Sequence, residues 1–348
     1  MQRKIRTRIG SIVLDGRVVY IESMVKLKTS FYKQVLFQAL RLKRAGAEII
    51  RFAVKDKEDV DALRKIKKHM AIPLIADIHF DYRLALECLD FIDCVRINPL
   101  NITSKKRIAE VAKKARETKK CIRIGVNSGG VRGKKDLERE LEKKVEYGVK
   151  ILEDRQFFDI IISAKSSSAA ETIKINRFLA ARFPYPFHIG ITATGPGLFG
   201  IIKSSIGIGV LLNEGIGDTI RVSLTDTPLK EVLVSKYILQ SLGKRIFFTE
   251  VISCPTCGRA ERTFLSQVLK AAKIIEDSNI KTPLRIALMG CEVNGPGEAE
   301  EADIGFAFSQ RWIVFFRKGK IINKIKREKF KEFLKEELRQ FESRENAG

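Results

Sequence analysis

The chain has 348 residues, with 65 Lys or Arg against 42 Asp or Glu and a formal net charge of +23. At 45% apolar composition it has the material for a large core, which excludes a disordered chain, and no apolar run approaches the ~20 residues of a membrane-spanning helix. The charge calls for an anionic partner without naming it, and six cysteines in so long a chain are core thiols or metal ligands rather than a disulfide framework. The basic start, Met1 to Arg8, is followed at Ile9 to Val13 by a run too short for the apolar part of a signal peptide, so a soluble cytoplasmic protein is expected.

Short apolar, β-branched runs then alternate with segments of helical spacing. Strands are expected at Val18–Met24, Glu48–Val54, Pro73–Ile78, Cys94–Asn98, Cys121–Val126, Phe158–Ala164, His188–Thr192 and Thr219–Leu224. Their near-continuous apolar character fits parallel strands buried on both faces. Helices are expected between them, at Phe31–Ala45, Asp56–His69, Lys105–Thr118 and Lys135–Tyr147. Eight such repeats over about 240 residues predict a TIM (β/α)8 barrel. A doubly wound sheet would want a glycine-rich fingerprint after the first strand, and Glu22-Ser-Met-Val-Lys26 has none.

The pattern changes after Gly243, which sets the expected domains at residues 1–243 and 244–348. The second is a smaller α+β domain: strands at Phe247–Ser253, Leu284–Met289, Ile304–Phe308 and Trp312–Phe316, and helices at Phe264–Asp277 and Lys326–Phe341. The last helix carries Phe330, Phe333, Leu334, Leu338 and Phe341 on one stripe, which reads as core packing. Within this domain Cys254-Pro-Thr-Cys257 and Met289-Gly-Cys291 bring three thiols into glycine- and proline-rich turns. A lone Cys-x-x-Cys is also compatible with a redox dithiol. A structural zinc site normally has four Cys or His ligands, and His69, His79 and His188 all precede this domain. Glu298 is the nearest candidate for a fourth ligand, and three thiolates with a weaker oxygen ligand suit a [4Fe–4S] cluster with one exchangeable iron. Cys88, Cys94 and Cys121 fall in barrel elements and read as core.

Active sites of this barrel lie at the C-terminal ends of its strands. Those ends are polar here: Arg51; Asp77 and His79; Arg96 and Asn98; Arg123 and Asn127; Ser163 and Lys165; Arg221 and Ser223. Four arginines and a lysine converging on one mouth demand an anion, although any single Arg could instead pair with a barrel acid. After strand seven, Gly195-Pro-Gly197 leads to Lys203 and Ser204, at the position where this fold often binds phosphate. A substrate with more than one phosphate is expected.

At these residues the sequence resembles the bacterial 4-hydroxy-3-methylbut-2-enyl diphosphate synthase family of the non-mevalonate isoprenoid pathway. The resemblance rests on Ala76-Asp-Ile-His-Phe80, Arg96-Ile-Asn-Pro99, Arg123-Ile-Gly-Val-Asn127, Lys203-Ser-Ser205, Glu214-Gly-Ile-Gly-Asp-Thr-Ile-Arg221, Ser253-Cys-Pro-Thr-Cys-Gly-Arg259 and Met289-Gly-Cys-Glu-Val-Asn-Gly-Pro-Gly-Glu298, and it spans nearly the whole chain. It implies a barrel with a C-terminal iron–sulfur domain, a homodimer, and a [4Fe–4S] cluster on Cys254, Cys257, Cys291 and Glu298. It also implies reductive ring opening and dehydration of 2-C-methyl-D-erythritol 2,4-cyclodiphosphate with electrons from flavodoxin or ferredoxin. Arg51, Arg96, Arg123, Lys203 and Arg221 would hold the diphosphate, while Asp77, His79, Asn98 and Asn127 would line the rest of the substrate.

The chain departs from the family's pattern. Thr192-Ala193-Thr194-Gly195 stands where the family has Thr-Glu-Ala-Gly, so a candidate acid is missing, with Glu214 and Asp77 as stand-ins. Ser23-Met-Val-Lys-Leu-Lys28 replaces a polar Ser-Met-Thr stretch, and Leu100 replaces a glycine. These changes keep open an alternative: a diverged paralogue that retains the cluster and binds a phosphorylated ligand without efficient turnover. Nucleic-acid binding ranks low, because the lysines are spread over helices together with glutamates.

Overall fold

A computed structural model of the chain describes residues 5–130, 137–255, 263–278, 284–291, 300–309 and 311–345. It divides into two compact units, Met1–Arg245 and Ile246–Gly348. No helix among the described residues is long and apolar enough to cross a membrane.

The first unit opens with an antiparallel hairpin, β1 (Thr7–Ile9) and β2 (Ile12–Leu14). Eight parallel strands follow: β3 (Tyr20–Met24), β4 (Ile49–Val54), β5 (Leu74–Ile78), β6 (Cys94–Ile97), β7 (Cys121–Asn127), β8 (Ile160–Lys165), β9 (His188–Ile189) and β10 (Thr219–Ile220). They pair in the order β8-β7-β6-β5-β4-β3-β10-β9. A parallel bridge from Ile162 in β8 to Phe187, beside β9, completes the ring. Helices α1 (Tyr32–Ala45), α2 (Lys57–Lys67), α3 (Tyr82–Cys88), α4 (Lys105–Thr118), α5 (Leu137–Glu153), α6 (Ala169–Arg182), α7 (Gly197–Asn213) and α8 (Pro228–Ser241) lie between and after the strands. Local chemistry starts several of them. Asp56, Ser104, Ser168 and Thr227 each cap a helix by accepting a backbone N–H three residues on, which satisfies an otherwise orphaned donor.

The expected TIM barrel is therefore present. The hairpin was not anticipated; its two strands are only three residues each, below the length at which alternation shows. Its Ile9 and Leu14 pack on Ile49, Ile75, Cys94, Cys121 and Ile161, residues at or near the strand starts, and so fill the N-terminal end of the barrel. Cys94 and Cys121 belong to that core and Cys88 is equally buried. Strands β9 and β10 are shorter than expected because the chain closes tightly beyond them. A side chain at Gly190 would collide with the Arg221 carbonyl.

The second unit is a mixed five-stranded sheet in the order β11 (Glu250–Ser253), β12 (Arg285–Met289), β13 (Ile304–Phe308), β14 (Trp312–Arg317) and β15 (Lys320–Lys326). The first three strands run parallel and the last two make antiparallel hairpins. Helices α9 (Phe264–Asp277) and α10 (Phe330–Glu345) supply Phe264, Ala271, Ile275, Phe330, Leu334 and Leu338 to a core with Ile286, Leu288, Phe306 and Phe315 of the sheet. The stripe on the final helix is core, as its spacing predicts. On the opposite face of the sheet the Phe316 ring lies over Gly305, where any side chain would displace it.

Candidate active site

Period two along a strand puts alternate side chains on one face, and in this barrel the inward set at the C-terminal ends is charged. Register places Met24 beside Arg51, Ala53 beside Asp77, Asp77 beside Arg96, and Arg96 beside Arg123. Farther round, Asn127 lies beside Lys165, and Thr219 of β10 beside His188 of β9. Two neighbouring arginines in a buried wall are tolerable only with carboxylates at hand. Asp77 accepts from Arg96 Nη1 at 2.9 Å, with Arg51 Nε 3.6 Å away. Arg96 Nη2 also donates to the Gly125 carbonyl at 2.8 Å, an approach that any side chain at 125 would block.

Arg123 is paired with Glu22 of β3, Nη1 to Oε1 at 3.0 Å and Nη2 to Oε2 at 2.5 Å, and neither side chain is exposed. Glu22 Oε1 lies 3.6 Å from both Arg51 Nη1 and His188 Nε2. His188 is fully buried, with Lys165 Nζ 2.9 Å from Nε2 and Thr219 Oγ1 2.9 Å from Nδ1. A third carboxylate, Glu231 of α8, accepts the Leu224 N–H at 2.8 Å, pairs with Lys26 Nζ at 2.9 Å and stands 3.9 Å from Arg221 Nη2. Lys26 also donates to the carbonyls of Leu224 and Asp226, tying the loop after β3 to the loop after β10.

The electrostatics follow from burial and pairing. Burial alone would raise Asp77, but Arg96 and Arg51 hold it well below the carboxylate range. Glu22 is likewise lowered despite burial, by Arg123 and Arg51. Burial and the nearby Arg51 pull Arg221 down to about 10. Burial, then Arg51 and Arg221, push Lys165 well below an ordinary lysine, and burial with Arg123 and Lys165 keeps His188 neutral. Arg51, Arg96, Arg123, Arg221 and Lys26 thus face Glu22, Asp77 and Glu231, with the Lys165 amine beside them. At least two positive charges in a desolvated cage have no matching carboxylate, which is the electrostatic form of an anion site.

The expected site residues divide. Arg51, Asp77, Arg96, Lys165 and Arg221 come together, with Ser163 and Asn98 buried beside them. Asn98 accepts the Leu100 N–H and so shapes its own loop. Asn127 ends β7 half-buried, and His79 is partly exposed with Nε2 3.8 Å from Asp77. Arg123 converges too, with its Nη1 and Nη2 engaged by Glu22. Asp77 lies between the Arg51 and Arg96 guanidiniums, which favour its ionised form. Glu214 is misplaced outright. It follows the C-terminus of α7, before β10 begins, at the opposite end of the barrel, where it pairs with Arg177. Lys203 stands on α7 with its ammonium 6.0 Å from the centre of the Phe199 ring. Ser204 lies on the buried face of that helix, its hydroxyl lacking a partner among the described residues. Ser223 accepts from Thr194 Oγ1 through its carbonyl at 2.5 Å.

Glu22, His188, Glu231 and Lys26 were missed as site residues. An acid inside an apolar parallel strand was a readable signal for Glu22, and His188 began an expected strand. Glu231 and Lys26 carried no signal, because a charged residue on a helix or loop is the ordinary case.

In the second unit, β11 and β12 pair with Ser253 beside Leu288, so Cys254 and Cys291 leave the C-terminal ends of adjacent parallel strands. Cys254 Sγ accepts the Gly290 N–H at 3.2 Å, and both thiols are half-buried. Cys257 and Glu298 lie outside the described residues. Among the described residues no three potential ligands gather.

Comparison with known proteins addresses the whole chain. Residues 4–236 match the GcpE TIM-barrel domain and residues 250–340 the GcpE protein C-terminal domain. A 4-hydroxy-3-methylbut-2-en-1-yl diphosphate synthase (flavodoxin) of Thermodesulfovibrio yellowstonii is 44% identical over 344 residues, covering 96% of this chain and 97% of the relative. Proteins of the same name from Geobacillus thermodenitrificans and Clostridium acetobutylicum are each 43% identical, covering 95% and 96% of this chain and 90% and 97% of their own lengths. Among solved structures, dihydropteroate synthase of Yersinia pestis superposes with TM-score 0.52 at 12% identity, over 69% of this chain and 99% of that one, which establishes the barrel fold alone. Matched by both domain models and by relatives over nearly its full length, the chain belongs to the GcpE family.

Proposed function

We propose that the protein reductively opens and dehydrates 2-C-methyl-D-erythritol 2,4-cyclodiphosphate to 4-hydroxy-3-methylbut-2-enyl diphosphate, taking two electrons from flavodoxin. The observation that carries this is the charge imbalance of the barrel cage. At least two cations beyond the three carboxylates suit a diphosphate, and relatives over 40% identical bear the synthase name. None of the comparisons favours a paralogue without turnover.

In this reading Arg51, Arg96, Lys165 and Arg221 bind the two phosphates, and Glu22 and Asp77 hold the guanidiniums at fixed angles before the ligand arrives. Fixed dipoles and charges of this kind need no reorganisation during reaction. His79, on the partly exposed side of Asp77, and Asn98 and Asn127 face the carbon skeleton, with His79 the side chain placed to move a proton. Lys203 and Ser204 contribute from the second turn of α7.

Cys254, Cys257, Cys291 and Glu298 would hold the [4Fe–4S] cluster. The donor chemistry fits: Cys254 and Cys291 leave neighbouring strand ends, and the Gly290 N–H already points at a sulfur, as backbone donors do around cluster thiolates. When bound, the cluster supplies the electrons and an iron open to a substrate oxygen. Assembly as a homodimer and a cytoplasmic location belong to the same reading and rest on the resemblance.

The test is anaerobic reconstitution with iron and sulfide, followed by assay with the cyclic diphosphate and reduced flavodoxin. Formation of the open diphosphate alcohol is expected. Protein that carries the cluster but forms no product from bound substrate refutes the activity.

A further inference from the structure

Lys165 and His188 are an unusual pair. Both side chains are buried, and they touch each other rather than an acid, with Nζ 2.9 Å from Nε2. Thr219 Oγ1 sits 2.9 Å from Nδ1 on the far side of the ring. Lys165 is the member with protons to give, so Nε2 accepts from it and the Nδ1–H donates to Thr219, which fixes one tautomer. Room for the ammonium exists because position 190 is glycine; a Cβ there would stand 3.1 Å from Nζ.

The groups facing the pair come from every neighbouring strand. Glu22 on β3 is 3.6 Å from His188, but its two oxygens are engaged by Arg123. Arg51 on β4, Arg123 on β7 and Arg221 after β10 all bear on Lys165, and Asn127 is its neutral neighbour in register. Among the described residues Lys165 forms no ion pair of its own. The Lys165 amine is therefore set against three guanidiniums, with only an imidazole nitrogen and a distant shared carboxylate to favour its charged form.

We propose that Lys165, positioned by His188, takes up one proton when a diphosphate enters the cage, so that anion binding and proton uptake are a single event. The depressed affinity of Lys165 for its proton in the free protein supports this. The arriving dianion reverses the sign of the local potential, and the ammonium then has one N–H on His188 and two for phosphate oxygens. His188 acts through Lys165 and is a positioning residue. The inference rests on the cyclic diphosphate reading above and adds a proton to it.

Linkage fixes the consequences. Below the pKa of Lys165 in the free protein the proton is already present and none is taken up. Between the free and bound values one proton is taken up per ligand. Across that window affinity falls about tenfold per pH unit, and above the bound value it levels off.

The experiment is titration calorimetry of the reconstituted protein with 2-C-methyl-D-erythritol 2,4-cyclodiphosphate, in buffers of different ionisation enthalpy, from pH 6.5 to 9. Each phosphorus of this ligand bears one strongly acidic proton, so the ligand stays a dianion and contributes no proton of its own. Uptake approaching one proton per site is expected at the alkaline end. Lys165→Met should abolish it and weaken binding about ten- to hundredfold. His188→Leu should move the fall in affinity to lower pH, because Lys165 loses its acceptor, and His188→Asn, whose amide oxygen can accept the same N–H, should move it back. A purely structural His188 would lower affinity equally at all pH values. Binding without proton uptake, or uptake that persists in Lys165→Met, overturns the proposal and leaves the substrate reading intact. Absence of any binding overturns both.

Discussion

Arg123 and Glu22 face each other across the barrel, four strands apart in a ring of eight, joined by two hydrogen bonds of 3.0 and 2.5 Å with neither side chain exposed. The pair spans the interior just beneath the anion cage. A buried ion pair adds little net stability over an apolar pair, but removing one partner strands a charge. Arg123→Met is thus expected to destabilise the barrel by about 3–5 kcal/mol, and Glu22→Leu with Arg123→Met to recover most of that loss. Urea midpoints of the single and double variants measure it. A double variant no more stable than Arg123→Met would show that the pair is not a self-contained unit.

Lys26 and Arg221 compete for Glu231, at 2.9 and 3.9 Å respectively. While Lys26 holds the carboxylate, Arg221 is left for the ligand. Lys26→Met should let Glu231 draw Arg221 inward, raising KM for the cyclic diphosphate about tenfold while changing kcat much less, since the lost interaction is one of ground-state binding. Steady-state kinetics with saturating reduced flavodoxin give the two constants separately.

Stability should fall on acidification, and the direction is set by shifts of one kind. Glu22 and Asp77 lie below their ordinary values of 4.5 and 3.8, so the folded state releases protons that the unfolded chain retains; their contribution is complete above those values and is lost as pH falls through the folded ones. Lys165 lies below its ordinary 10.5 and His188 below its ordinary 6.5, so charging either opposes the folded state; Lys165 sets a slope already present at pH 8, and His188 adds to it below pH 6.5. Denaturant midpoints from pH 8 to 3 should decline, steepening in two stages. His188→Asn should remove the earlier stage and leave the later one.

Much of this was legible in sequence, for a physical reason. A charged residue inside an apolar parallel strand has no solvated face to turn to, so Arg51, Asp77, Arg96, Lys165 and Arg221 could be assigned to the interior from period and composition alone. Which acid each meets was not legible, because Glu22 and Arg123 are 101 residues apart and only barrel closure joins them. Glu214 was misread because a motif rich in glycine gives no indication of which end of the barrel it occupies. Strand β15 was missed because Lys320-Ile-Ile-Asn-Lys-Ile-Lys326 carries lysines where strand alternation would be sought. It is an edge strand, and charge on an edge guards against pairing with another chain.

Ala193 is the departure with the clearest kinetic consequence. It follows Thr192, whose N–H bonds the Ser166 carbonyl, and precedes Thr194, anchored on Ser223, so its backbone is held on both sides. Its φ is +50°, a left-handed conformation that an alanine already endures, and its side chain is exposed. A longer side chain there adds little strain beyond that already present and meets no packed core. Ala193→Glu should therefore fold as well as the parent and place a carboxyl on the loop that follows β9, where the family carries one. A restored general acid typically contributes about a hundred- to ten-thousandfold. An increase in kcat at the lower end of that range is expected, with KM nearly unchanged, and Ala193→Gln should give none because an amide has no proton to deliver. Equal rates for the parent and both variants would mean that proton delivery does not pass through this loop, leaving His79 beside Asp77 as the group to replace next, with loss of turnover in His79→Asn as the measurement.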